Sequence, residues 1–264
     1  MKKQRDKRRK SKRIFRMFLK AVKLIYPKNE VLGIENLPKE PCIIVANHAQ
    51  IYGPVTGILY LPNNCWFWGE GELMSLKTAS KYAYKDFWSK KPKYIRWLYK
   101  LLSYIAGPVL YYIFHNVNMI GVYHDKRLMS TLKETRRALE KGGNIVIFPE
   151  CYTKHNHIVY EFQGGFVDVA RMHFQKTGKE LSFVPVYFAP KLKKVLIGKP
   201  TKYNADGVRT QERDRICNYL MDEITDMAES LPLHTVVPYP NISKAEYPKS
   251  RQSEAKNEKT SSRL

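Results

Sequence analysis

Acid is scarce in this chain. Asp and Glu number 24 against 46 Lys and Arg, a formal charge of +22 over 264 residues. The shortage is uneven. Residues 1–28 hold thirteen Lys and Arg and a single Asp, while residues 29–240 hold 27 basic and 20 acidic side chains. A basic arm of this kind attracts polyanions. The modestly basic body and the lack of any recognition motif exclude a nucleic-acid partner. Cysteine is scarce too. Cys42, Cys65, Cys151 and Cys217 lack zinc-ligand spacing and disulfide density, which fits a reducing compartment and no metal. No Walker loop, dinucleotide glycine fingerprint or Gly-x-Ser-x-Gly elbow is found, which excludes the corresponding nucleotide and hydrolase chemistries. Long apolar runs are absent as well. The nearest, Tyr94 to Phe114, carries Arg96 and Lys100 and is interrupted at Gly107-Pro108, so a core-packed or monotopic helix pair is expected rather than a membrane span. Arg16, Lys20 and Lys23 interrupt the apolar stretch after the basic start, which argues against a signal peptide.

What is present reads as alternating strand and helix. Residues 1–13, nearly all charged, are expected to be disordered. From Ile14 to Tyr26 cations recur at helical spacing on one face and Phe15, Phe18, Leu19, Val22 and Ile25 fill the other, which predicts an amphipathic helix at a bilayer interface. Strands are expected at Cys42–Ala46, Cys65–Trp68, Asn144–Phe148, Ser182–Phe188 and Lys194–Ile197. Helices are expected at Leu128–Lys141, Gly165–Lys176 and Gln211–Leu231. The fold class is therefore α/β, with a largely parallel central sheet flanked by helices. The expected organisation is a basic arm with its helix over 1–28, an α/β domain over 29–240 and a disordered polar tail over 241–264.

Two short motifs about a hundred residues apart stand out. Ile43-Ile44-Val45-Ala46 runs into Asn47-His48, and Val146-Ile147-Phe148 runs into Pro149-Glu150. Each is an apolar, β-branched run ending in polar residues, and catalytic groups of open α/β sheets sit just beyond such strand ends. Five residues after His48, where a carboxylate partner would be sought, stands Gly53.

With Phe162-Gln163-Gly164-Gly165, Asp168-Val169-Ala170 and Val184-Pro185-Val186 following in order, residues 35–200 resemble the glycerophospholipid acyltransferase family of the lysophosphatidic acid acyltransferase type. That family's signature is Asn-His, four residues and Asp, followed by Phe-Pro-Glu-Gly-Thr-Arg. Here Gly53 replaces the Asp and Thr153 replaces the Arg. The resemblance implies O-acyl transfer from acyl-CoA or acyl carrier protein, used as co-substrate with no bound cofactor, to a lysophospholipid-like hydroxyl. It implies His48 as general base, with Asn47, Glu150, Thr153 and Lys154 in acceptor binding. A neutral imidazole suits the proton transfer, and a carboxylate on its other nitrogen would orient it. With Gly at 53, the contact is expected from a backbone carbonyl or from a distant acid, Glu70 and Glu72 being the nearest in sequence and Glu70 the acid favoured. The expected partners are an anionic membrane surface, the thioester donor and the acceptor, at the cytoplasmic face of a membrane. The alternative is a catalytically degenerate relative that binds lipid or a partner without turnover.

Overall fold

The structure is a computed structural model and describes residues 2–89, 92–123 and 125–251. In chain order the elements are α1 (Lys2–Ile25), β1 (Glu30–Leu32), β2 (Cys42–Ala46), α2 (Tyr52–Tyr60), β3 (Cys65–Glu70), α3 (Leu76–Ala83), α4 (Arg96–Asn116), β4 (Met119–Val122), α5 (Leu128–Glu140), β5 (Asn144–Ile147), β6 (Glu150–His155), β7 (Tyr160–Phe162), α6 (Asp168–Thr177), β8 (Ser182–Ala189), β9 (Lys194–Ile197), β10 (Thr201–Lys202) and α7 (Arg209–Ser230). The expected α/β class and the largely parallel sheet flanked by helices are what the chain adopts. The pairs β1–β9, β2–β8, β3–β4 and β3–β5 are parallel. The exceptions are β8–β9 and β8–β10. Only four residues join β8 to β9, far fewer than a parallel crossover needs, so that pair is antiparallel.

The chain divides into two compact units, one from residues up to Pro27 and Leu61–Val146, the other from Lys28–Tyr60 and from Ile147 onward. This division differs from the arm, body and tail expected from composition.

In the first unit β3, β4 and β5 carry α5. The Trp68 indole donates to Thr135 Oγ1 at 2.9 Å and Thr131 Oγ1 donates to the Gly121 carbonyl at 2.6 Å, which pins that helix to both strands. The break expected at Gly107-Pro108 does not occur, because α4 is one continuous helix containing Pro108. Proline removes one N–H from the ladder, but close packing holds the turns together: a Cβ at Gly107 would run into the main chain of Ser80 on α3. Nor is α4 core-packed. Trp97, Leu101, Tyr104, Ile105 and Val109 are exposed. Helix α1 starts at Lys2, well before the expected Ile14, and meets α4 through Phe15 on Tyr112 and through Ser11 Oγ donating to Asn116 Oδ1 at 2.9 Å. Phe15 is buried, whereas Ile14, Met17, Phe18, Leu24 and Ile25 face outward. No helix among the described residues is long and apolar enough to cross a membrane.

In the second unit β2 and β8 form the centre. Every residue of β2 is buried, as is β8 from Phe183 onward, which is why both read as continuous apolar runs rather than alternating ones. Helix α7 packs on β8 with Ile216, Leu220, Ile224 and Ala228, at helical spacing, fully buried. Each large aliphatic side chain of that stripe contributes about 2 kcal/mol of burial. Strands β6 and β7 form a separate antiparallel hairpin with a register shift between Glu150 and His155.

The chain after α7 is folded as far as Arg251, which takes in residues 241–251 of the tail expected to be disordered; the rest of that tail, 252–264, lies outside the described residues. His234 and Ser250 exchange hydrogen bonds, Val236 N–H donates to the Pro248 carbonyl, and Thr235 bridges Lys249. A loop of about a dozen residues is thereby closed at its base. The base is anchored by the Tyr187 hydroxyl on His234 Nε2 at 2.8 Å.

Candidate active site

Asn47 follows β2 directly, buried, and its amide pairs with β8. Nδ2 donates to the Phe188 carbonyl at 3.1 Å and Oδ1 accepts the Phe188 N–H at 2.7 Å. The side chain thus copies one more rung of the β2–β8 ladder. It fixes where the strand ends, and the two contacts give the side chain a structural part in placing His48.

The chain then turns sharply. Ala49 and Gln50 adopt left-handed φ of 45° and 54°, and α2 begins at Tyr52. Non-glycine residues in this region cost energy that the surroundings must offset. Gly53 explains part of the fit. Its N–H donates to the His48 carbonyl at 3.2 Å, and a Cβ at 53 would collide with that same oxygen and lie 2.9 Å from the Asn47 carbonyl. The first turn of α2 is seated so closely on the motif turn that no side chain fits at 53.

Glu150 opens β6, buried, with both carboxylate oxygens committed to main-chain donors. Oε1 accepts the His48 N–H at 2.6 Å and Oε2 accepts the Tyr160 N–H at 2.9 Å. One side chain therefore ties the His48 turn to the β6–β7 hairpin, and its oxygens face the protein rather than an acceptor. Burial pushes its pKa up from 4.5 to about 7, against the two N–H donors, which favour the charged form.

The His48 imidazole lies against two aromatic rings. Phe148 is 5.2 Å away at 68° and Tyr239 is 5.4 Å away at 74°, both edge-to-face. The residue keeps some solvent exposure, but Nδ1 is closed off and has no hydrogen-bond partner among the described residues. The contact expected from Glu70 is therefore not made; Glu70 ends β3, in the first unit. Burial pulls the imidazole pKa from 6.5 down to about 4, and the main chain of Gln50 opposes the shift without a normal hydrogen bond at Nδ1.

Thr153 and Lys154 are exposed on β6. Thr153 Oγ1 donates to Glu161 Oε2 at 3.0 Å, across the hairpin, so an acid lies beside the position where the resemblance implies an arginine. His155 lies 4.5 Å from the Tyr160 ring, and His157 Nε2 meets Glu229 at 3.0 Å on α7. Tyr160 also touches Tyr152 and Tyr239, which extends an aromatic wall from the hairpin to His48.

Of the predicted site residues, the structure brings Asn47, His48 and Glu150 together and leaves Thr153 and Lys154 on the outer hairpin. Tyr239 and Tyr160 were not singled out by sequence. The only local signal for Tyr239 is its setting in Pro238-Tyr239-Pro240.

A family model described as Acyltransferase matches residues 28–189. No curated protein matches the chain. Among solved structures, the 1-acyl-sn-glycerophosphate (LPA) acyltransferase PlsC from Thermotoga maritima is similar, with 17% identity, a TM-score of 0.50, and coverage of 86% of this chain and 83% of that one. At that identity the likeness speaks for the fold.

Proposed function

The chain belongs to the Acyltransferase family, and from that premise we propose that it moves an acyl chain from an acyl thioester to the hydroxyl of a lysophospholipid-like acceptor, with His48 as general base. The observation that carries the reading is the state of His48. Its ring stands just past the end of β2 against Phe148 and Tyr239, partly open to solvent, and with Nδ1 closed off Nε2 is left to receive a proton. The acceptor oxygen attacks the thioester carbonyl as its proton passes to Nε2. The C–S bond then breaks, and the imidazolium returns the proton to the departing thiolate. On this reading Glu150 acts through the His48 main chain, and the aromatic wall of Tyr160 and Tyr152 offers apolar surface to an acyl chain. The donor, acyl-CoA or acyl carrier protein, is a co-substrate. The outward apolar residues of α1 and α4, with the cations of α1, support a peripheral or monotopic place on an anionic membrane.

Purified protein is to be incubated with labelled acyl-CoA or acyl carrier protein and a panel of lyso-acceptors. The printed name of the similar Thermotoga maritima enzyme makes 1-acyl-sn-glycerophosphate the first to try. A diacyl product is expected.

A second reading, binding without turnover, is favoured by one observation: Gly53 and the unpartnered Nδ1 leave an imidazolium without a counter-charge. It predicts retained vesicle binding and no product from any donor and acceptor pair.

A further inference from the structure

We infer that Tyr239, carried by the loop that follows α7, is a positioning residue for the His48 imidazole, doing by aromatic contact what a carboxylate at position 53 would do by hydrogen bonding. The inference rests on His48 being the base proposed above.

Three independent features converge on it. The first is vacancy of the usual route: a side chain at 53 would collide with the His48 carbonyl oxygen, and no group among the described residues bonds to Nδ1. With no hydrogen bond of normal geometry at Nδ1 and only the main chain of Gln50 acting on the ring, packing must help to limit its rotation. The second is contact. The Tyr239 ring meets the imidazole at 74° and 5.4 Å, an edge-to-face arrangement with a preferred geometry and not merely a contact area. Phe148 makes the same kind of contact from the β5–β6 connection.

The third is how Tyr239 is delivered. It lies between Pro238 and Pro240, which restrict the backbone on both sides and lower the entropy of presenting the ring. Val236, Val237 and Pro238 are buried just before it, and the base of the loop is closed by the His234–Ser250 and Val236–Pro248 bonds. Both arms of the loop are fastened to the motif turn itself. Gln50 Nε2 donates to the Pro240 carbonyl at 3.1 Å and to the Tyr247 hydroxyl at 2.8 Å. Gln50 is two residues from His48 and holds a left-handed φ, so the turn that aims the histidine also holds the loop that restrains it.

The experiment is an imidazole titration of the full chain by ¹H–¹⁵N NMR with labelled histidine, His48 being assigned by its loss in His48→Ala. Steady-state kinetics with acyl-CoA accompany it. Tyr239→Ala should move the His48 titration upward toward 6.5, because the ring that excludes water is gone. It should lower kcat about tenfold while KM for the donor stays within about twofold. Tyr239→Phe should match the unaltered protein in both readouts. Gln50→Gly keeps the left-handed turn accessible and removes both bonds to the loop, and it should shift the titration in the same direction. It also serves as the decisive variant if Tyr239→Ala fails to fold. An unmoved titration in Tyr239→Ala, or in Gln50→Gly where that variant must decide, overturns the inference. So does a Tyr239→Phe as impaired as Tyr239→Ala, which would assign the role to the hydroxyl. The titration needs no turnover: if the unaltered chain transfers nothing while the titration shifts as expected, the proposed activity fails and the positioning contact stands.

Discussion

Two groups at the heart of the site titrate in opposite senses, and the carboxylate of Glu150 accepts a hydrogen bond from the main chain of His48. Folding raises Glu150 from 4.5 to about 7, so the folded chain holds a proton that the unfolded chain has lost, and stability falls as pH rises through that window. Folding lowers His48 from 6.5 to about 4, so the unfolded chain holds the extra proton, and stability climbs as pH rises from 4 to 6.5. Between 4.5 and 6.5 the two slopes oppose each other. Urea unfolding across this range should therefore show little net dependence from the pair in the unaltered protein. Glu150→Gln should expose the histidine slope, with stability rising toward pH 6.5. His48→Ala should expose the carboxylate slope, with stability falling toward pH 7. Identical pH profiles in the two variants would contradict both assignments. At position 53 the same precision of packing has another consequence. Gly53→Asp restores the family's residue on paper, yet its Cβ meets the His48 carbonyl, so it should lose activity and about 1–3 kcal/mol of stability, read by denaturant midpoint. A gain in kcat from that variant would show that α2 can shift to accept the side chain.

At the scale of elements, α4 carries the least expected arrangement: a proline-containing helix packed on α3 through Gly107, with a row of large apolar side chains facing outward. If that face meets lipid, Trp97 should leave water on binding. Its fluorescence should shift to shorter wavelength on adding vesicles of anionic phospholipid, and Leu101→Ser with Ile105→Ser should weaken binding several-fold. An unchanged affinity would place the face elsewhere. The sequence predicts α4 as two pieces because Gly-Pro is a local breaker, and the close approach of Ser80 that overrides it is a tertiary fact. The contrast recurs across the chain. Strands β2 and β8 were legible because both faces are buried and their apolar runs announce it, and α5 and α7 because their apolar spacing and end signals are local. Asn47, His48 and Glu150 were legible as strand-end residues. The tie from the Glu150 carboxylate to the His48 N–H spans 102 residues and leaves no trace in either motif. The β6–β7 hairpin is hidden by its register shift, and Tyr239 closes the stretch assigned to the α/β domain with no local signal that it reaches His48.

For the molecule as a whole, charge and chemistry fall on different stretches of chain. Most of the positive excess lies in the first tenth of the sequence, within α1 and the residues just after it, while every residue argued to act on or through His48 belongs to the second unit. The charge concerns where the protein sits, and the site concerns what it does. Deleting residues 1–26 should therefore release the protein from anionic vesicles in a sedimentation assay; retained binding would remove the basic helix from the account of membrane contact. Whether the site performs acyl transfer at all turns on His48. The most direct measurement is the initial rate of diacyl product from labelled acyl thioester and 1-acyl-sn-glycerophosphate, or whichever lyso-acceptor of the panel is used, compared between the unaltered protein and His48→Ala at pH 7. General-base catalysis predicts a fall of at least about 100-fold with the fold intact. An equal rate in the two proteins, or no product from the unaltered protein with any donor and acceptor, would contradict it.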